Sequence, residues 1–486
     1  MKDTLRPGST TRPPAPGAGR LPFLLKAVET GLIALLLLSP LPAGSVNEWS
    51  ILVIELAAGL MAATYILLEP KPRLNSRLEA ALGPVKWGAA GFFGFVAFTL
   101  VPLPAAIVRL ISPGSYAFRR LNAPEFARMK FMSLSIAPSQ TLQAGLEVFA
   151  YFLLGFLVVK TLTRGSQIRR MISVLVASGV FQALYGLYEL SAAEPRILFY
   201  RKVFSLESVT GTFVNRSHLS GYLEMIVPLA VGLVIARLNL FSFGAKGLRE
   251  KFLLMMSQGV AGNLLVSAGI VIMSLGIVLS NSRAGTAVLV FSFFLFTGLS
   301  VLAFGRVGYR ELWIRNFIRA TVLAVLALSL WIGVGSTIQR FALDNLLRED
   351  RPLYWGNVAG MVRDFPLFGT GLGTFASAYP AYEKRGGPEM LLAHAHNDYL
   401  EFFSELGLAG SVLLFGGILY LAVRAFLVWR ERRNPEAKGL ALGGIVSLAG
   451  IGLHTLTDFN LHLPANALLF SVVLSLTLVA AFHRKT

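Results

Sequence analysis

The chain has 486 residues, 55% hydrophobic and only 14% charged, with 44 Lys and Arg against 26 Asp and Glu for a net charge of +18. Soluble domains carry about 25% charged residues, so a water-exposed globule of this size is excluded, and the absence of cysteine excludes disulfides and thiolate metal sites. The basic excess does not point to nucleic acid, because it falls in short clusters between apolar runs and no nucleic-acid-binding motif accompanies it.

In chain order, residues 1–26 form a basic start, followed by the apolar run Leu32–Leu38. That run resembles a signal peptide, but a second span follows at once and no small-x-small cleavage site does, so it reads as part of a retained first helix. Apolar stretches near twenty residues cross a bilayer as helix. They predict spans near 27–43, 51–69, 86–102, 142–162, 171–189, 218–236, 258–280, 284–305, 320–335, 398–423, 440–456 and 466–482. A β-barrel alternates apolar and polar residues, whereas Val322–Val334 is apolar throughout except for Ser329. The expected fold class is all-α: a polytopic membrane protein of about twelve transmembrane helices.

Counting Lys and Arg on alternate sides places 28 of the 44 in the termini and the short connections of one side. Basic residues in short loops stay cytoplasmic, so both termini are expected in the cytoplasm of a bacterial cell, with the chain in the inner membrane. The reading divides the chain into a cytoplasmic segment 1–26, spans one to nine in 27–335 with a periplasmic loop 103–141, a large partly helical periplasmic loop 336–397, and spans ten to twelve with the C-terminus in 398–486. Within the large loop, Arg351–Arg363 has helical apolar spacing (Val358, Met361, Val362), with Pro352 suited to its first turn. Gly369-Thr-Gly-Leu-Gly-Thr reads as a tight turn.

Polar groups near a membrane are costly and tend to be functional. Five of the six histidines (His218, His394, His396, His454, His462) lie at the outer face, as do Arg216, Arg283, Glu224, Asp398, Glu401 and Glu405. Arg216 fits either an interface anchor or a ligand contact. Arg283, in Ser280-Asn-Ser-Arg-Ala-Gly on the side poor in basic residues, suits bidentate binding of phosphate oxygens. Ser282 and Asn281 offer donors to the same anion. On the tenth span Asn397, Glu401 and Glu405 share a helical face, with Glu405 expected to pair with an arginine or the backbone. His396 reads equally as an interfacial hydrogen-bonded histidine or a functional one.

No cofactor and no metal site are expected. The His-Glu-x-x-His spacing is absent, and Pro464 ends any helix that would align His454, Asp458 and His462. No Gly-x-x-x-x-Gly-Lys-Ser/Thr loop is present to drive an ATP-fuelled pump. A lipid-linked sugar transporter would favour midplane charges and inverted repeats; the carboxylates here cluster toward the outer side and no repeat is evident.

At these residues the chain resembles the bacterial O-antigen ligase and polymerase superfamily. Its ligase signature is met by His396-Asn397, nine residues, Gly407, two residues and Gly410. Gly211-Thr-Phe-x-Asn-Arg216, Ser282-Arg283-Ala-Gly285, Asp364-x-Pro-Leu-x-Gly-x-Gly-x-Gly-x-Phe375 and Asp458-Phe-x-x-His462-x-Pro-Ala-Asn466 add to it. These matches span 211–466. The resemblance implies an integral-membrane glycosyltransferase that takes its glycan from undecaprenyl diphosphate, with Arg216 and Arg283 on the diphosphate and His396 receiving the acceptor's proton. It implies metal-independent, inverting transfer to lipid A-core in a ligase, or to a lipid-linked repeat unit in a polymerase. His394 is the nearest rival base and His462 the next.

Overall fold

The computed structural model describes residues 20–67, 76–124, 126–237, 258–304, 309–332, 351–383 and 392–483. Residues 1–19, 68–75, 125, 238–257, 305–308, 333–350, 384–391 and 484–486 lie outside the described residues. The first helices are α1 (Arg20–Leu38), α2 (Glu48–Leu67) and α3 (Ser76–Leu100), then α4 (Ala105–Ile111) and α5 (Pro113–Asn122) in the first long loop. Next come α6 (Pro138–Thr161), α7 (Gly165–Ser191), α8 (Arg216–Arg237), α9 (Gln258–Leu279), α10 (Arg283–Phe304) and α11 (Tyr309–Ile332). The second long loop holds α12 (Arg351–Asp364) and α13 (Phe375–Ala378). The chain finishes with α14 (Asp398–Glu431), α15 (Pro435–His454) and α16 (Pro464–Phe482).

Each of the twelve predicted spans is a helix. Among the described residues, eleven are long and apolar enough to cross a membrane; α1 is the twelfth, a 19-residue helix. Helices α3, α11 and α14 run eight to eleven residues beyond their predicted spans at one end. There the helix continues through charged residues such as Arg77 and Glu79, or Arg424 and Arg430, where a hydropathy criterion stops. Apolar side chains remain uncovered on the outside, with Leu60 71%, Trp87 81% and Leu323 66% exposed, which suits lipid rather than water.

The interior is organised around α8. Every residue from Ser217 to Ile235 is buried, as expected of a helix that is apolar all round. Its closest neighbour is α15. At Gly443 an added Cβ would stand 2.6 Å from the Pro228 carbonyl oxygen and 3.0 Å from Leu229 Cα, so the two backbones meet as small-residue membrane helices do. Ser447 donates to the Met225 carbonyl at 2.7 Å, and Glu224 on α8 pairs with His454 on α15 at 2.9 Å, both fully buried.

The first long loop is ordered. Residues β1 (Leu103–Pro104) and β2 (Phe131–Met132) pair antiparallel, and buried Arg119 donates to the carbonyls of Ser133 and Ser135. The second long loop descends into α14. At Gly407 the helix breaks, with φ 59° and ψ −168°. The freed groups pair with residues 366–371: Thr370 N donates to Ser404 O at 2.9 Å, Gly371 N to Glu405 O at 2.8 Å, Leu408 N to Pro366 O at 2.8 Å and Ala409 N to Leu367 O at 3.1 Å. The glycine run that reads as a turn is this docking strand, with positive φ at Gly369, Gly371 and Gly373.

A side chain at Gly407 would lie 2.4 Å from the Leu367 carbonyl carbon and 2.6 Å from Gly369 N, in a backbone region closed to other residues. Backbone strain alone costs on the order of 1–3 kcal/mol. Gly407→Ala is therefore expected to lower the thermal unfolding midpoint in detergent by several degrees. Gly416→Ala, on the same helix with open space around its Cα, is expected to leave it unchanged. Equal midpoints for both variants would refute the docking account.

Candidate active site

Chain alternation brings one end of α8, α9, α10, α14, α15 and α16 together. Arg216 and Arg283 start α8 and α10, α9 ends at Leu279, Asp398 starts α14, α15 ends at His454 and Pro464 starts α16. The polar residues singled out in the sequence therefore meet at this end, below α12 and the segment 392–397.

Two tight turns set the arginines. Asn281 adopts φ +57° between α9 and α10, a conformation asparagine tolerates better than most residues. Its amide donates to Glu207 O at 2.9 Å and Ser208 Oγ at 3.1 Å, so these donors go to the preceding loop rather than to a shared anion. Ser282 Oγ accepts from Gly285 N at 3.1 Å and lies 3.2 Å from Ser217 Oγ. This contact joins the residue after Arg216 to the one before Arg283. Both arginines are half-buried at their helix starts.

A cavity of about 510 Å³ opens here, and Arg216, Ser217, Arg351, His396 and Asp458 line it. Arg283 does not line it but adjoins it through the Ser217–Ser282 contact. His396 takes φ +50°, a strained conformation held by its surroundings. On one side Ala395 N donates to Glu401 at 2.7 Å and Trp355 Nε1 to Ala395 O at 3.1 Å. On the other, Asn397 caps α14 by accepting from Leu400 N at 3.1 Å. The tenth span thus begins at Asp398, two residues after His396.

His396 Nδ1 lies 3.4 Å from Asp458 Oδ1. Asp458 also has His218 Nε2 and Arg351 Nη2 each at 4.0 Å. Burial opposes ionisation of Asp458, but the His396 hydrogen bond, the His218 and His454 imidazoles and the Arg351 guanidinium hold its carboxyl well below the usual carboxylate range. A carboxylate facing Nδ1 fixes the tautomer: Nδ1–H donates, and the lone pair of the neutral ring sits on Nε2. Arg351 is held in turn by Thr457 O at 2.6 Å.

A second group surrounds Phe459. His394 stacks on that ring at 4.2 Å, while His218 and His396 meet it edge-on at 4.5 and 4.9 Å. His394 Nδ1 is 2.7 Å from Glu401 Oε1. His462 Nδ1 is 2.6 Å from Asp398 Oδ1, in the short turn Asn460–His462 after α15 has ended. Burial works against charge on His462, but Glu401 and then Asp398 outweigh it and hold its pKa well above the usual value. Glu405 pairs with the backbone, accepting from Phe375 N at 2.9 Å.

Residues 268–415 match the family model described as O-antigen ligase. Over that segment the chain is similar to O-antigen ligases. The superfamily resemblance drawn from the sequence is supported over that segment, and no curated protein matches the chain. The matched segment holds Asn281, Ser282, Arg283, Arg351, His394, His396, Asn397, Glu401 and Glu405, whereas Arg216, Asp458 and His462 join it from outside. Among the predicted site residues, the fold brings Arg216 and His396 into one cavity and places Arg283 beside it. His394 and His462 fall in the second group, and Asn397 serves the helix start. Sequence reasoning missed Arg351 and gave Asp458 no role. Asp458 had a signal, as the acid of the Asp-Phe-x-x-His tail; Arg351 had none, because its partner lies 107 positions away.

Proposed function

We propose that the protein is an inner-membrane glycosyltransferase that moves a glycan from undecaprenyl diphosphate to an acceptor hydroxyl at the periplasmic face, ligating O-antigen to lipid A-core. The observation that supports this reading is the cavity in which two guanidiniums, Arg216 and Arg351, face an imidazole backed by a buried carboxylate. The acceptor oxygen attacks the anomeric carbon from the face opposite the diphosphate, so the configuration inverts. Its proton passes to His396 Nε2, and the breaking C–O bond leaves its electron pair on the diphosphate. Arg216 and Arg283 meet that charge where solvent is partly excluded. A polymerase would run the same chemistry onto a second lipid-linked repeat unit.

The test uses purified full-length protein in liposomes with lipid-linked O-antigen and lipid A-core. Glycosylated lipid A-core and free undecaprenyl diphosphate are expected without ATP and without added Mg²⁺ or Mn²⁺, since guanidiniums supply the charge at the diphosphate. Transfer only onto a lipid-linked repeat unit would convert the assignment to polymerase. Movement of donor between leaflets with no diphosphate release would replace it with transport, and a strict need for added Mg²⁺ would overturn the arginine clamp.

A further inference from the structure

The second histidine group is not used by this reaction. His394, Glu401 and His462 each offer one ligand atom, and these atoms all lie within 4.8 Å of one another. Glu405 Oε2 stands 3.9 Å from His462 Nε2, and Glu401 Oε1 stands 3.6 Å from it. We propose that His394, Glu401, Glu405 and His462 form a binding site for one first-row divalent cation of the Zn²⁺ type. The inference goes beyond the transfer reading and stands without it.

Three observations carry it. First, His462 Nε2 and Glu405 Oε2 are buried with no hydrogen-bond partner, and the Glu405 side chain is 1% exposed. Separations of 3.6 and 3.9 Å are longer than hydrogen bonds between these atoms and leave room for an ion between them. A bound cation fits that spacing, since ligands at about 2.1 Å in a tetrahedron stand about 3.4 Å apart; His394, Glu401 and His462 form the cluster, and Glu405 would join it from beside His462. The 2.7 Å His394–Glu401 contact is the exception, and a bound ion would require it to open by rotation of the His394 ring, 32% exposed.

Second, the remaining atoms of three ligands are already held. Asp398 Oδ1 takes His462 Nδ1 at 2.6 Å and Asp398 Oδ2 accepts from Leu461 N at 2.9 Å. Glu401 Oε2 accepts from Ala395 N at 2.7 Å, and Glu405 Oε1 from Phe375 N at 2.9 Å. A carboxylate behind the distal nitrogen of a ligating histidine is the usual support of a zinc site, fixing the ring and directing Nε2 at the metal. Third, Asp398, Glu401 and Glu405 bring three buried carboxyl groups together. Burying charge is costly unless it is paired or bound to metal. Two imidazoles with two carboxylates suit zinc among the common divalent ions. The ion would pin residues 394–397, the segment that carries His396.

The test is metal content and Zn²⁺ titration of full-length protein, stripped with chelator and exchanged into metal-free buffer, with no donor present. One Zn²⁺ per chain is expected. Glu405→Gln and His462→Gln should abolish stoichiometric binding, and Asp398→Asn, which removes only the support, should weaken it about 10–100-fold. His394→Gln, at the exposed edge, gives a variant whose folding is least at risk; size-exclusion and circular dichroism verify each protein. Failure of folded wild-type protein to bind Zn²⁺ stoichiometrically, or undiminished affinity in folded His394→Gln and Glu405→Gln, would overturn the site. Neither result touches the transfer assay, so the two readings fail separately.

Discussion

Arg216→Ala and Arg283→Ala proteins are expected to insert and fold normally yet transfer glycan at least about 10²–10³-fold more slowly, the loss seen when one pre-placed group facing developing charge is removed. Both arginines stand at helix starts, where the leaving diphosphate adds its charge to whatever the site already balances. Lysine replacements should recover little, because a point charge replaces a planar fork able to grip two oxygens at once. Arg351→Ala is expected to act differently, since its guanidinium also holds Thr457 O at 2.6 Å and faces Asp458; it should lower thermal stability as well as rate. The measurement is product formation by reconstituted protein at saturating donor, with insertion checked by membrane fractionation. Normal rates in both Arg216→Ala and Arg283→Ala would remove the diphosphate clamp from the mechanism.

His396→Ala should retain donor binding and lose turnover by about 10²–10⁴-fold, the range for a general base acting on a reacting proton. Asp458→Asn tests the tautomer argument. An amide can turn its NH₂ toward Nδ1, which then becomes the acceptor and moves the proton to Nε2, where it blocks base action. The loss should appear in turnover rather than in donor affinity, with stability also reduced because a buried carboxylate among His218, His396 and Arg351 is removed. Equal turnover in His396→Ala and wild type would pass the role to another group or show that the acceptor needs none.

The helices were legible because a bilayer imposes a single length and a single composition on every span. Their ends were less so: Arg77 and Glu79 lie in α3, and Arg424 and Arg430 in α14, since a helix stops when its backbone finds other partners and not when its side chains become polar. The site was half legible. Arg283 and His396 stood out as polar residues in costly places, and the direction of the chain put them at one end. What holds them did not show. Asp458 reaches His396 across 62 positions and Thr457 reaches Arg351 across 106. The cluster of His394, Glu401 and His462 has no spacing that a motif would capture. Asn281 was read as a donor to ligand, but its left-handed turn binds its amide to Glu207 and Ser208, a competition among neighbours that only the folded loop reveals.

The break at Gly407 divides α14 into two pieces with different attachments. The C-terminal piece is apolar enough to cross a membrane. The N-terminal piece, which bears Glu401 and Glu405, is bonded through Ser404 O and Glu405 O to Thr370 and Gly371, and so belongs mechanically to the segment 366–371. Lipid offers no partners to a broken helix, so the open backbone at Gly407 is tolerable only once residues 366–371 have come down to meet it. Completion of the tenth span is then an assembly step rather than a simple insertion. The chain seals its own bilayer defect with a strand of the preceding loop, and that seal is also the floor on which the polar cluster rests.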